Sequence, residues 1–497
     1  MKRACITMLI AGGLAVVGLP GPAPAAIYTW TGGDGTSQSW NNAGNWDAAG
    51  VPVSAGTTDI VFPDNTSNIG TAGVPLNQDI ASPLVLNSLT FSNDTSTPRA
   101  YRLGGAALQF VADAATQPSI SGPNFYPKYF ANEINIAASA TLDIRCPGYQ
   151  YEFNGPITGN GALLMTAQAG GGQVYLNNAA NSYSGGTTYK GRGPTQPFCG
   201  LRVPVTGALG SGPVTLNGGN LTPFDATTNK WPGGLIFNGT GTSYANDFSL
   251  DSNSPLYVAM TNMGGSAASS ATLSGNFELN NHTLYLRGIG TGTITGTVTS
   301  TGGPGGLLKM DSGTWILSSD ANSIAGSVLV QEGVLMLSGS VGPVTVEAGG
   351  TLSAGGSPGS LSVIGTYNQT GTMLAELGGP GQGAATDGYD WIDVSDTATL
   401  GGTVEVNLVG GFQPALGARF DVLTAEEGIT NADLSGIVFD VSGAPLGSAL
   451  RWEWEIASLG GNAEALRLTV GVPEPGTLLL LATGGLTLLL LCRRRSR

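Results

Sequence analysis

Leu176-Asn177-Asn178-Ala179-Ala180-Asn181-Ser182-Tyr183-Ser184-Gly185 returns as Leu317-Ser318-Ser319-Asp320-Ala321-Asn322-Ser323-Ile324-Ala325-Gly326, at an offset of 141 residues. Further on, Gly212-Pro213-Val214-Thr215-Leu216 returns as Gly342-Pro343-Val344-Thr345-Val346, at an offset of 130. The difference places an insertion in the first copy around Gly191 to Gly200, with Cys199 on a loop. Apolar residues at every second position supply one buried face, and Asn and Gly turn the chain where β-branched residues cannot. Each such coil exposes a sheet face that only the next coil covers, which predicts a stacked β-solenoid. Asn181 and Asn322 occupy equivalent corners, and their expected role is structural: inward or turn-capping hydrogen bonds.

The composition of the 497 residues agrees. There are 79 glycines, 10% charged residues and 41% hydrophobic ones, so the chain is not of the highly charged disordered kind. Short runs such as Leu84-Val85-Leu86, Ser88-Leu89-Thr90-Phe91, Leu108-Gln109-Phe110-Val111 and Ile134-Asn135-Ile136 recur between turn residues, and no segment of useful length carries a helical period. Near the start of this region Trp30, Trp40 and Trp46 lie within 17 residues. Their rings either stack on sugars or, as is commoner, plug the end of a β-domain.

Beyond Gly355 to Ser360 the alternating runs lengthen, as in Thr399 to Leu408, Arg419 to Leu423, Arg451 to Ile456 and Leu466 to Val470. They predict an antiparallel, sandwich-like C-terminal domain that caps the solenoid. Trp452 and Trp454 then share one strand face and Glu453 and Glu455 the other.

Both termini carry addresses. Lys2-Arg3, the apolar stretch Ile6 to Leu19 and Ala23-Pro24-Ala25 form a secretory signal peptide. At the other end Val472-Pro473-Glu474-Pro475 leads into Thr477 to Cys492, which carries no charge, and then into Arg493-Arg494-Arg495-Ser496-Arg497. A helix over Thr477 to Cys492 spans roughly 24 Å against a ~30 Å hydrocarbon core, a marginal membrane anchor. The arginines after it keep the C-terminus cytoplasmic and the preceding chain outside.

Candidate chemical sites are few. The segment between the two addresses has 13 basic and 32 acidic residues, a net charge near −19, which leaves no basic patch for nucleic acid. Cys146 and Cys199 are the two cysteines of that segment, and an oxidising compartment permits a disulfide between them. One histidine, His282, and no CxxC pair exclude the usual zinc site; a Ser-His-Asp triad would have to use His282, which falls in Leu279-Asn280-Asn281-His282-Thr283-Leu284, read as a turn between strands and a poor place for a catalytic base. Asp387, Asp390, Asp393 and Asp396 recur every third residue, a spacing that one strand face cannot hold but a loop can gather around calcium; a solvated turn is the commoner outcome. No cofactor is expected.

The tail, read as Pro-Glu-Pro, short apolar helix and arginine cluster, resembles the PEP-CTERM sorting signal of Gram-negative bacteria. The resemblance implies recognition and cleavage by a membrane-bound exosortase-type enzyme during export. The stretch Asn181-Ser182-Tyr183-Ser184-Gly185-Gly186-Thr187 resembles the autotransporter-associated β-strand repeat, with Gly313-Thr314-Trp315-Ile316-Leu317 and Gly349-Gly350-Thr351-Leu352 keeping the type in the second copy. The opening Trp30-Thr31-Gly32-Gly33 and Asn45-Trp46 is similar to the start of many autotransporter-type passenger proteins. These resemblances imply a right-handed parallel β-helix standing outside the cell, and they carry no catalytic residues.

The expected organisation is therefore a signal peptide over 1–25, an N-terminal β region over 26–154, a β-helix over 155–365, an antiparallel sandwich-like domain over 366–471 and the sorting signal with its transmembrane helix over 472–497. The expected function is that of a non-enzymatic surface or extracellular-matrix protein, adhesive or associated with exopolysaccharide. The competing class is a β-helical polysaccharide lyase or glycoside hydrolase. A row of acids with a neighbouring Arg on one solenoid face favours the enzyme; an even Thr/Asn/Ser face favours the structural role.

Overall fold

The computed structural model describes residues 25–47, 50–63, 70–71, 73–92, 100–122, 126–146, 150–168, 172–191, 200–219, 233–258, 268–356, 358–383, 386–431 and 433–472. Short strands follow one another around three faces, and each pairs in parallel with the strand one coil below and one coil above. This is a parallel β-helix. Its first face is an 18-stranded sheet in which 16 strands, from Ala26–Thr29 to Arg419–Ala425, run parallel, and the last two form a terminal hairpin. The second face runs from Leu76–Gln78 through Gln150–Phe153 and Ser254–Val258 to Ile429–Thr430.

The third face changes hands partway. In the lower coils it is Leu84–Leu86, Leu108–Phe110, Ile134–Ile136 and Ile157–Gly159. In the upper coils it starts at Thr242–Tyr244, stacked under Ser270–Leu273 and Thr291–Ile294. As a consequence the two sequence copies occupy different faces. Thr187 lies on the first face between Leu163 and Val214, whereas its counterpart Val328 lies on the second between Leu307 and Val344. The repeat is thus a unit of one corner and one strand, which works on either face.

The core is built of rows of like residues. On the first face Tyr28, Ile60, Leu89, Ile120, Ile144, Met165, Tyr189, Leu216 and Leu250 stand above one another, all buried. Aromatic rings stack in register, Phe130 on Phe153 at 4.6 Å and Phe248 on Phe277 at 4.4 Å. Each fully buried Leu or Ile contributes about 1.5–3 kcal/mol, so the coils cohere although each is short. Gly292 is required where it is, because a Cβ there would overlap the ring of the fully buried Trp315 one coil above.

Corners are held by buried amides. Asn181 Oδ1 accepts from Ile157 N at 2.8 Å, one coil below, and its Nδ2 donates to Ala208 O at 2.8 Å, one coil above. Asn322 does the same, accepting from Val298 N at 2.8 Å and donating to Ser338 O at 3.1 Å. The expected structural role is what both residues perform. The sequence reading did not single out Lys309 and Gln369, inward-pointing corner residues that cap carbonyls. Lys309 Nζ donates to the carbonyls of Met310, Asp311 and Glu332, and burial pushes its ammonium down to about 8. Gln369 Nε2 serves Gly371, Gly401 and Thr403.

The ends are closed differently. Trp30 and Trp40 are fully buried and Trp46 nearly so, with Trp30 and Trp46 edge to face at 5.1 Å and Trp40 against Phe62 at 5.5 Å. They plug the first coil, and the sugar-stacking alternative for them is overturned by that burial. At the other end Arg451–Gly460 and Ala463–Gly471 form an antiparallel hairpin against Arg419–Ala425, covering the sheet's last edge. Trp454 stacks on Phe439 at 4.0 Å and Trp452 Nε1 donates to Ala444 O, so both tryptophans serve the cap.

Two expectations need correction. The parallel coils neither begin at 155 nor end at 365. They take in 26–154 and continue through Tyr367–Gln369, Thr372–Leu377, Trp391–Val394 and Thr403–Leu408 to Val438–Asp440. The antiparallel sandwich-like domain over 366–471 shrinks to the terminal hairpin. Alternation at period two is the same in parallel and antiparallel strands, so longer strands alone could not tell them apart.

Candidate functional site

Because side chains alternate along each strand, every face carries outward rows as regular as the core rows. The first face presents Asp59, Ser88, Ser119, Asp143, Leu164, Thr188, Thr215 and Ser249 in consecutive register. The row continues as Glu278, Thr299, Ser323, Ser340, Ser362, Asp393 and Thr424. Hydroxyls dominate this row, and the carboxylates in it accept from them: Ser88 Oγ to Asp59 at 2.5 Å, Thr299 Oγ1 to Glu278 at 3.0 Å and Thr424 Oγ1 to Asp393 at 2.7 Å. One acid in the row has an arginine beside it, Asp143, whose Oδ2 lies 2.5 Å from Arg145 Nε. Ten of the fifteen residues in this row carry a hydroxyl, four a carboxylate, and Leu164 neither.

Beside this row Pro213, Asp247, Phe248, Ser249, Asn276, Phe277, Glu278, Thr297 and Thr299 line a shallow groove of about 410 Å³. Partial burial alone would raise the Glu278 carboxyl. Hydrogen bonds from Asn280 N, from Thr301 Oγ1 and N and from Thr299 Oγ1 outweigh it and hold the group below the usual carboxylate range. A carboxylate held ionised is suited to accept hydrogen bonds and unsuited to donate a proton to a leaving group.

The second face carries a different outward row: Arg102, Tyr129, Glu152, Tyr175, Arg202, Ile236, Tyr257 and Arg287. The Arg102 guanidinium lies 3.8 Å from the Tyr129 ring centre. Higher up the row is buried, with Arg202, Tyr257 and Arg287 each about 1% exposed. Arg287 reaches Asp311 through Nε at 3.1 Å and Nη2 at 3.0 Å, and Tyr257 Oη through Nη1 at 3.1 Å. Cationic and aromatic side chains are here spent on packing.

The four aspartates proposed for calcium are dispersed. Asp387 is exposed in a turn at φ 52°. Asp390 is buried and accepts from Gly359 N, Ser353 Oγ and Glu376 N; burial pushes its carboxyl up to about 7. Asp393 belongs to the first-face row, and Asp396 Oδ1 accepts from Thr397 N. Among the described residues no three His, Cys, Asp or Glu side chains converge on a metal position. His282 sits in the turn between Phe277–Glu278 and Thr283–Gly288, as expected. Cys199, the side chain of Cys146, the signal peptide up to residue 24, and the tail from Pro473 through Glu474, Pro475 and Arg493 to Arg497 lie outside the described residues. Val472, the first residue of the tail, is 49% exposed at the end of the cap. Among the described residues no helix is long and apolar enough to cross a membrane.

Compared with known proteins, the chain matches no family model. It is 28% identical over 226 residues to the adhesin BmaC autotransporter of Brucella suis biovar 1 (strain 1330), a match that covers 38% of this chain. That match takes in 6% of the Brucella protein, so the chain spans a small fraction of its relative's length. Over part of its length, then, this parallel β-helix is similar to an autotransporter adhesin.

Proposed function

We propose that the chain is a non-enzymatic exported protein of the cell surface or extracellular matrix, adhesive or exopolysaccharide-associated. On this reading a right-handed parallel β-helix is displayed outside the cell, each coil offering a weak polar contact and the sum being useful. Its tail, Val472-Pro473-Glu474-Pro475 with the apolar run and Arg493-Arg494-Arg495, anchors it in the inner membrane until an exosortase-type enzyme processes it. The observation that carries the reading is the first-face row from Asp59 to Thr424, polar at every position but Leu164, on a chain similar in part to an adhesin.

The test uses the full-length chain with the producing cell's own exopolysaccharide, following co-sedimentation and the appearance of new reducing or unsaturated chain ends. Binding without new ends is expected. New ends at a rate proportional to protein would overturn the reading in favour of a carbohydrate-active enzyme. Asp143 with Arg145 is the place to look first in that case, since the buried Asp143 Oδ1 has no hydrogen-bond partner among the described residues. For the sorting signal, Glu474→Ala is expected to leave unprocessed chain in the membrane fraction, where the wild type is released or surface-displayed.

A further inference from the structure

We propose that the upper part of the first-face row, from Glu278 to Thr424, is a binding track for a neutral polysaccharide whose chain lies along the helix axis. The proposal rests on the adhesive reading above and names its surface and its ligand class.

Glu278, Thr299, Ser323, Ser340, Ser362 and Asp393 are six consecutive positions of one row. At about 4.8 Å per strand they extend over roughly 24 Å, the length of several sugar rings in an extended chain. The ends of the track are organised: Thr299 donates to Glu278 at 3.0 Å, and Trp391 Nε1 donates to Thr424 Oγ1, which donates to Asp393. Its middle is open. The side chains of Ser323, Ser340 and Ser362 make no hydrogen bond among the described residues; Ser323 is exposed and the other two are half-buried, in consecutive register. Free hydroxyls at a fixed repeat, with a carboxylate acceptor at each end, match a ligand that is itself a repeating array of hydroxyls. Apolar surface for the C–H faces of sugar rings flanks the track on both sides. Trp391, two positions before Asp393, is half-buried on one side, and Ile364, two positions after Ser362, is 58% exposed on the other.

Charge selects the class. The track contains no Lys or Arg and has a carboxylate at either end, on a chain of formal net charge −14. A uronate or sulfated glycan would meet repulsion without a counter-charge, whereas a neutral glycan meets acceptors and donors only.

Native affinity electrophoresis of the full-length chain tests this, with dextran, hydroxyethylcellulose or galactomannan in the gel and alginate as the anionic comparison. Retardation by at least one neutral glycan, unchanged by added salt, is expected, with none by alginate. The triple variant Ser323→Ala, Ser340→Ala, Ser362→Ala is expected to bind about tenfold more weakly or worse, with an unchanged thermal melt, since three small outward hydroxyls are removed and no core atom is touched. Trp391→Ala is expected to weaken binding too, whereas Thr272→Arg, outward on the third face, is expected to bind as wild type. Absence of retardation by every neutral glycan, preference for alginate, or undiminished binding by the triple variant would each overturn the proposal. Beads coated with the chain and applied to the producer's matrix separate the two levels. Equal attachment by wild type and triple variant ends the track proposal and leaves the adhesive reading standing, while no attachment by wild type ends the adhesive reading itself.

Discussion

The first and second faces have the same sheet geometry and opposite surface chemistry. On the first, outward positions carry Ser, Thr and isolated carboxylates, half-buried and hydrogen-bonded mostly to one another or to nothing in the chain. On the second they carry Arg, Tyr and Glu, and from Arg202 to Arg287 they are buried as thoroughly as the core. Long side chains with several donors can be covered and satisfied, as Arg287 is by Asp311 and Tyr257. Short hydroxyls have little reach and stay at the surface. A solenoid repeats its backbone at every coil, so the side chains of a row decide whether a face holds the molecule together or meets a partner.

The comparison breaks most visibly at Arg287. Replacing it with Ala leaves Asp311 without its bidentate partner and removes the Nη1 hydrogen bond to Tyr257 Oη, and a loss of about 3–5 kcal/mol in urea-unfolding stability is expected. A loss below about 1 kcal/mol would show that the second face is no more structural than the first. Asn181→Ala comes next. It strands Ile157 N and Ala208 O at a buried corner, with an expected cost of about 2–4 kcal/mol and faster amide exchange in the two coils it joined.

A pH effect of intermediate size belongs to Asp390, which lies under the chain excursion between Leu377 and Trp391. Its folded pKa of about 7 exceeds the ordinary value of 3.8 because burial disfavours the charged form. The folded protein therefore holds this proton more tightly than the unfolded chain. That contribution to stability is full below about pH 4 and is lost as the pH rises toward about 7, a change on the order of a few kcal/mol at most. Urea midpoints across that window should fall in the wild type, and Asp390→Asn should lower the baseline and remove that part of the slope.

The smallest effect is expected on the first face. Ser119→Ala, an outward hydroxyl in the lower coils, should change stability by less than about 0.5 kcal/mol. A larger loss would mean that the hydroxyl row is part of the scaffold.

How much of this was legible in the sequence varies by residue. The inward alternation of Leu84, Leu86, Leu108 and Phe110 was readable as strand because period two needs only neighbours in the chain. The corner amides Asn181 and Asn322 were readable because the repeat marked them. Asp390 was grouped with Asp387, Asp393 and Asp396 by a spacing that the excursion before Trp391 takes apart, turning one carboxyl inward and another onto the first face.

The outward rows were not legible at all. Thr299, Ser323, Ser340 and Ser362 are separated along the chain by coils of unequal length, so no fixed period links them. Local pattern by itself determined that this chain forms short strands and tight corners stacked as a solenoid, because alternation and turn chemistry act between near neighbours. Tertiary structure alone decided which face each strand joined, that the coils run on to the terminal hairpin, and which hydroxyls line up, because register between coils is set by packing across the core.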